Sequence, residues 1–146
     1  MGKATEGETE APRTHYVIQY IAPPLKKDLD MDIEWICRCF GFLEPKDKEK
    51  TCAKIFRILL ESSKEGISLS SDEVAGRIGT TRGTVVHHLN RLIKAGLVIR
   101  ERNRYRLRMR SLGKTIEEVE KDIIRVLNGM KDVAFEIDDG LELPHR

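Results

Sequence analysis

The chain has 146 residues, about one domain with modest extensions, with 34% charged residues and 40% in the AVILMFWYC set. That is too apolar for a wholly disordered chain, and no run of about 18 apolar residues of the kind that crosses a bilayer exists. The near balance of 26 Lys and Arg against 24 Asp and Glu hides a polarised layout. Residues 80–110 carry nine basic side chains and one acid, Glu101, a net +8, whereas residues 111–146 carry five bases and nine acids, a net −4. A basic block inside an otherwise acidic chain points to a polyanion at one surface.

Residues 1–13 are polar, lack the apolar core of a secretory signal and read as a disordered tail. Residues 14–45 read as an arm and a short helix. THYVIQYI at 14–21 is β-branched and aromatic, stopped by Pro23 and Pro24, and fits either a short strand or an extended arm. A helix is predicted over 30–40, with Gly41 as its stop and apolar side chains on most sides. Cys37, Cys39 and Cys52 are an odd number with no secretory context, so reduced thiols of a cytoplasmic protein are expected.

From residue 46 the punctuation is clearer. Residues 48–63 place Cys52, Ile55, Phe56, Leu59 and Leu60 on one helical face. Ser70 and Glu73 have capping-box spacing and open a short helix that Gly79 ends. Thr81 is a suitable N-cap for the next helix, 82–95, terminated by Gly96. Val85, Leu89, Leu92 and Ile93 share one side of that helix. Thr84, His87, Arg91 and Lys94 lie opposite, with His88 and Asn90 on the flanks. A cationic helix face after a tight connection suits groove reading.

The period then changes from 3.6 to 2. Arginine occupies positions 100, 102, 104, 106, 108 and 110, alternating with Ile99, Tyr105, Leu107 and Met109. A hairpin turning near Asn103 is predicted, with an odd-length loop, or a bulge of the same effect, that puts every arginine on one face. Thr115 and Glu118 have capping-box spacing and open a long predicted helix of about 22 residues. Ile116, Val119, Ile123, Val126, Met130, Val133 and Ile137 repeat on it as an a/d heptad, a seam that calls for self-association, with packing on the subunit's own N-terminal helix as the alternative. Asp138, Asp139 and Gly140 are read as its end.

The order of elements, together with GTTRGTVVHHLNRLIKAGLV at 79–98 and the following NRYRL, resembles bacterial and archaeal winged helix-turn-helix transcription regulators of the ArsR/MarR type. The resemblance covers about residues 46–137. It implies a mainly α fold with a small β-hairpin (α+β), a DNA-binding domain at 46–110 and a dimerisation helix within 111–146. It also implies a homodimer on double-stranded DNA. Carried onto this chain, Thr81, Arg82, Thr84, His87, His88 and Arg91 become the major-groove set, and Arg102 and Arg104 the wing-tip contacts. Only two or three of the six alternating arginines are expected to touch DNA, the others lying along the sheet or pairing with acids.

Other classes fare less well. No Gly-rich phosphate loop, His-Glu-x-x-His motif or nucleophile with a convincing base is present, so neither catalysis nor a cofactor is expected. A thiol- or metal-responsive regulator using Cys37, Cys39 and Cys52 is the sharper alternative, although residues i and i+2 of a helix point about 200° apart. A winged-helix protein–protein adaptor would not need the +8 block. RNA binding would want more aromatic stacking surface than Tyr105 alone offers.

Overall fold

The computed structural model describes residues 16–44 and 47–144; the tail expected at 1–13 lies outside them. The fold is α+β, with five helices and one three-stranded antiparallel sheet among the described residues. In chain order these are α1 (Leu29–Cys39), α2 (Thr51–Lys64), β1 (Leu69–Ser70), α3 (Ser71–Ile78), α4 (Arg82–Lys94), β2 (Val98–Glu101), β3 (Arg104–Leu107) and α5 (Leu112–Gly140). No helix of the described residues is long and apolar enough to cross a membrane.

One continuous core joins these elements. Phe56, Ile55 and Leu59 of α2 sit at its centre, fully buried. Ile33 and Cys37 of α1, Val74 of α3, Val85, Leu89 and Leu92 of α4, Leu97 before β2, Tyr105 and Leu107 of β3, and Val119 of α5 pack around them. Residues 16–21 are an extended arm outside the sheet. The Gln19 amide donates to the Cys39 carbonyl at 2.7 Å, and the Trp35 indole donates to the Ile21 carbonyl at 3.0 Å.

The local stop and start signals hold. Ser70 and Glu73 form a reciprocal capping box on α3, and Gly79 leaves the helix at φ 84°, a left-handed conformation in which glycine carries no steric penalty. Thr81 caps α4 by accepting from the Thr84 amide at 3.2 Å.

The hairpin departs from expectation. Its loop is the two residues Arg102 and Asn103, an even length, with both at positive φ (52° and 69°). Two consecutive left-handed residues make the turn whose twist matches that of paired strands. The register therefore pairs Val98 with Leu107, Arg100 with Tyr105, Ile99 with Arg106 and Glu101 with Arg104. The arginines are split between the two faces, Arg100 beside Tyr105 and Arg104 with Arg106 opposite. Sequence alternation also gave no sign of β1, whose two residues pair with β3 at Leu69↔Tyr105 and Ser70↔Arg104.

The start of α5 is corrected too. Ser111, rather than Thr115, is the N-cap, accepting from the Lys114 amide. Thr115 is fully buried one turn inside, its hydroxyl donating to the Ser111 carbonyl at 2.8 Å and accepting from the Met109 amide at 3.0 Å. The helix runs through Asp138 and Asp139 to Gly140, 29 residues, or about 43 Å. Of the heptad positions, Val119 is buried and Ile116 and Ile123 are partly covered by the chain's own core. Val126, Met130, Val133 and Ile137 are all more than half exposed.

Candidate nucleic-acid interface

The α3–α4 pair, joined by the three residues 79–81, presents α4 to solvent on the side away from Val85, Leu89 and Leu92. The exposed face carries Arg82, Gly83, His87, Asn90 and Lys94, with Thr84 half-buried at its edge and no carboxylate anywhere on the helix. A Cβ built on Gly83 would meet nothing within 4 Å, so the first turn of α4 is open to a close approach. Asn90, expected on a flank, is exposed, whereas Arg91, expected on the outer side, is half-buried.

Arg91 turns into its own chain. It donates to the Gly41 carbonyl at 3.0 Å, lies 5.4 Å over the Phe42 ring and approaches His88 Nδ1 at 3.5 Å. It fastens α4 to the loop after α1 and does not stand with the exposed set. His88 is half-buried; desolvation, then the nearby Arg91 and His87, push its pKa below 6.5, while Asp47 opposes them. It is therefore neutral at pH 7, and a polar group rather than a cation. His87 is exposed, its ring edge-on to His88 at 5.3 Å. Arg82 bonds to Ser71 Oγ at 3.2 Å and lies 3.8 Å from Asp72, with its side chain 68% exposed. An ion pair that open to water contributes little and exchanges readily.

Most hairpin arginines have partners. Arg100 bonds to the Asn103 side chain and lies over Tyr105 at 5.9 Å. Arg104, called a wing-tip contact from the sequence, reaches sideways to Ser68 O at 2.7 Å and to Glu73 at 3.1 Å. Arg106 pairs with Glu101 at 3.1 Å. Arg102, at the tip, and Arg110, beyond the strand, are exposed and have no ion-pair partner among the described residues.

Arg108 belongs to a junction between the hairpin and α5. It donates to Asp122 at 2.7 Å and to the Gly96 carbonyl at 3.3 Å. Gly96, just past the end of α4, lies beneath Arg108, Val119 and Tyr16: an added Cβ there would sit 3.3, 3.5 and 3.8 Å from them. The Arg108 bond holds the Asp122 pKa below 3.8 against the cost of burial, and Tyr16 and Arg125 assist. A carboxylate depressed on folding contributes stability that is full above its unfolded pKa and lost as pH falls through the folded one. Asp122→Asn is thus expected to be less stable than the parent at pH 7 in urea melts, with the gap closing below about pH 4. A gap that stays constant down to pH 2 would remove the ion pair from this account.

The three cysteines do not meet at one point, although Cys37 and Cys52 are neighbours. Cys37 and Cys52 are buried in the α1–α2 contact; burial raises both thiols, Cys52 to about 12. Cys39 is half-buried, on the wall of the groove between α1 and α5. Among the described residues no three His, Cys, Asp or Glu side chains converge as a metal would require. Comparison with family models, with curated proteins and with solved structures gave no match.

Proposed function

We propose that the protein is a sequence-specific regulator of transcription that binds double-stranded DNA as a homodimer, using a winged helix-turn-helix. The observation that carries this reading is the outer face of α4. It is free of carboxylates, polar along its length, and flanked by a hairpin whose tip arginine has no ion-pair partner among the described residues.

In this reading α4 enters the major groove. His87 and Asn90 face base edges, where an amide side chain can make the paired bonds that recognise adenine. The open first turn at Gly83, the hydroxyls of Thr81 and Thr84, and Arg82 released from Asp72 lie against phosphates. Lys94 neutralises the backbone at the far end, and Arg102 reaches a phosphate or the minor groove beyond. The bare α5 stripe pairs two copies, so that two α4 helices address half-sites about 34 Å apart.

Fluorescence anisotropy tests this on the duplex upstream of the protein's own gene and on a scrambled duplex, at several salt concentrations. Tighter binding to the native duplex, with both affinities falling steeply in salt, is the expected result. No binding to either at low salt overturns the reading. Arg102→Ala is expected to weaken binding to both duplexes and lower the salt slope by about two units, one for each subunit of the dimer. Arg104→Ala is expected to leave the slope nearly unchanged, because that guanidinium is held by Ser68 and Glu73.

A further inference from the structure

At the end of the sheet remote from the hairpin tip lies an open pocket of about 630 Å³. Its walls are the end of α2 and the chain at and beyond the end of β3. The Ser63 hydroxyl ties the two walls together by donating to the Arg110 carbonyl at 2.9 Å. Two large apolar side chains line the pocket uncovered, Ile67 at 42% and Met109 at 37% exposure. An added Cβ at Gly66 would meet nothing within 4 Å, so the backbone beside Ile67 leaves the mouth clear.

Three cations stand around this apolar surface. Lys64 and Arg110 are exposed, and neither side chain has a partner among the described residues. Arg106 is fixed in place. Its Nε donates to Glu101 at 3.1 Å and its Nη1 to the Leu107 and Arg108 carbonyls at 3.2 and 3.3 Å. Its Nη2 is left without a partner among the described residues. The cleft between α1 and α2 also holds cations, but there Lys50 and Arg57 are paired with Glu34 and Asp30.

Negative charge on the wall is smaller. Glu65 is the one carboxylate there, and it forms no ion pair with Lys64, Arg106 or Arg110 among the described residues. The end of α2 adds little, because the Ser62 and Ser63 carbonyls already accept from the amides of Glu65, Gly66 and Ile67. Arg106 and Glu101 cancel, and Lys64 with Arg110 outweighs Glu65.

We propose that this pocket binds a small organic carboxylate with an apolar body. The head group lies between Arg110 and Lys64, within reach of Arg106 Nη2, and the body covers Ile67 and Met109. A guanidinium matches a carboxylate in shape as well as charge. An apolar surface with a few placed polar groups is the usual form of a small-molecule site. A bare inorganic anion would leave Ile67 and Met109 in water, and a neutral apolar molecule would leave the cations unused. The site shares no residue with the exposed face of α4 or with Arg102, so it stands whether or not the protein binds DNA.

The full-length protein, carrying 13C at its Met and Ile methyl groups, tests this with 4-phenylbutanoate and its neutral amide, 4-phenylbutanamide. The acid is expected to shift the Met109 and Ile67 methyl signals saturably, while Met130 and Ile123 on α5 stay in place. The amide has the same body without the charge and is expected to bind about tenfold more weakly, the worth of one charge-assisted bond. Lys64→Gln combined with Arg110→Gln is expected to abolish the difference between acid and amide. Both side chains are exposed, so circular dichroism and the melt should not change. Glu65→Gln is expected to tighten the acid about threefold, the scale of an exposed charge contact, and to leave the amide unaffected. Equal binding of acid and amide to the parent overturns the proposal, as do shifts at Met130 and Ile123 in place of Met109 and Ile67. No shift with the acid at about 10 mM, where even a millimolar site is mostly filled, also overturns it.

Discussion

Replacing Met130 with aspartate is expected to leave a folded monomer that binds duplex DNA about 10²–10⁴ times more weakly, the loss that follows when a bivalent contact becomes monovalent. Met130 is 61% exposed in the single chain, so the change leaves the core of its own subunit intact. In the dimer it would put a carboxylate on the apolar face between helices, where a buried charge without a partner is strongly unfavourable. Sedimentation should report the halved mass and circular dichroism a protein that is still largely helical. Anisotropy should report weak binding with a salt slope about half that of the parent, since only one subunit's phosphates remain neutralised. A monomer that keeps the parent affinity would show that one copy suffices, and would remove the two-half-site mechanism while leaving α4 as a reader.

The second large effect is on stability. Phe56→Ala is expected to cost about 3–5 kcal/mol, from lost transfer energy and the cavity left behind. Phe56 is the largest of the fully buried side chains, on the face of α2 that supports α4 and the sheet. Domains of this size are stable by only about 5–15 kcal/mol, so the variant would be near the edge of folding. The urea midpoint should fall sharply with an unchanged m-value if unfolding remains two-state. A loss below 1 kcal/mol would mean that the core around α2 collapses to fill the space. DNA affinity measured well below the melt should change little, which separates this effect from that of Met130→Asp.

These two residues mark two uses of apolar side chains that the heptad alone could not tell apart. Seven positions of α5 share one repeat, yet Val119 is spent inside the subunit and Met130 faces solvent. The repeat defines a stripe along the helix. What covers each part of the stripe depends on where the rest of the chain ends, and α1 and the arm reach only as far as Ile123 and Ile124. The arginines make the same point with charge. Their alternation is plain in the sequence, but Arg104 is tied to Ser68, 36 positions away, and Arg108 to Asp122, 14 positions on. Alternation says which side of a strand a residue takes and nothing about the acid across from it.

What the sequence by itself determined was whatever a few neighbouring residues decide. The Ser70–Glu73 box and Gly79 bound α3, Thr81 starts α4, Gly96 ends it, and the buried face of α4 follows from Val85, Leu89 and Leu92. Such signals are local because a cap or a helical face is satisfied within one or two turns. The tertiary structure alone decided the parity of the hairpin loop, which hangs on two residues accepting positive φ, and with it the face each arginine occupies. It also decided that Arg91 faces inward, because the Gly41 carbonyl and the Phe42 ring meet it there, while Asn90 stays exposed. A long, flexible cation takes the best acceptor within its reach, and only the folded chain brings an acceptor from 50 positions away beside it.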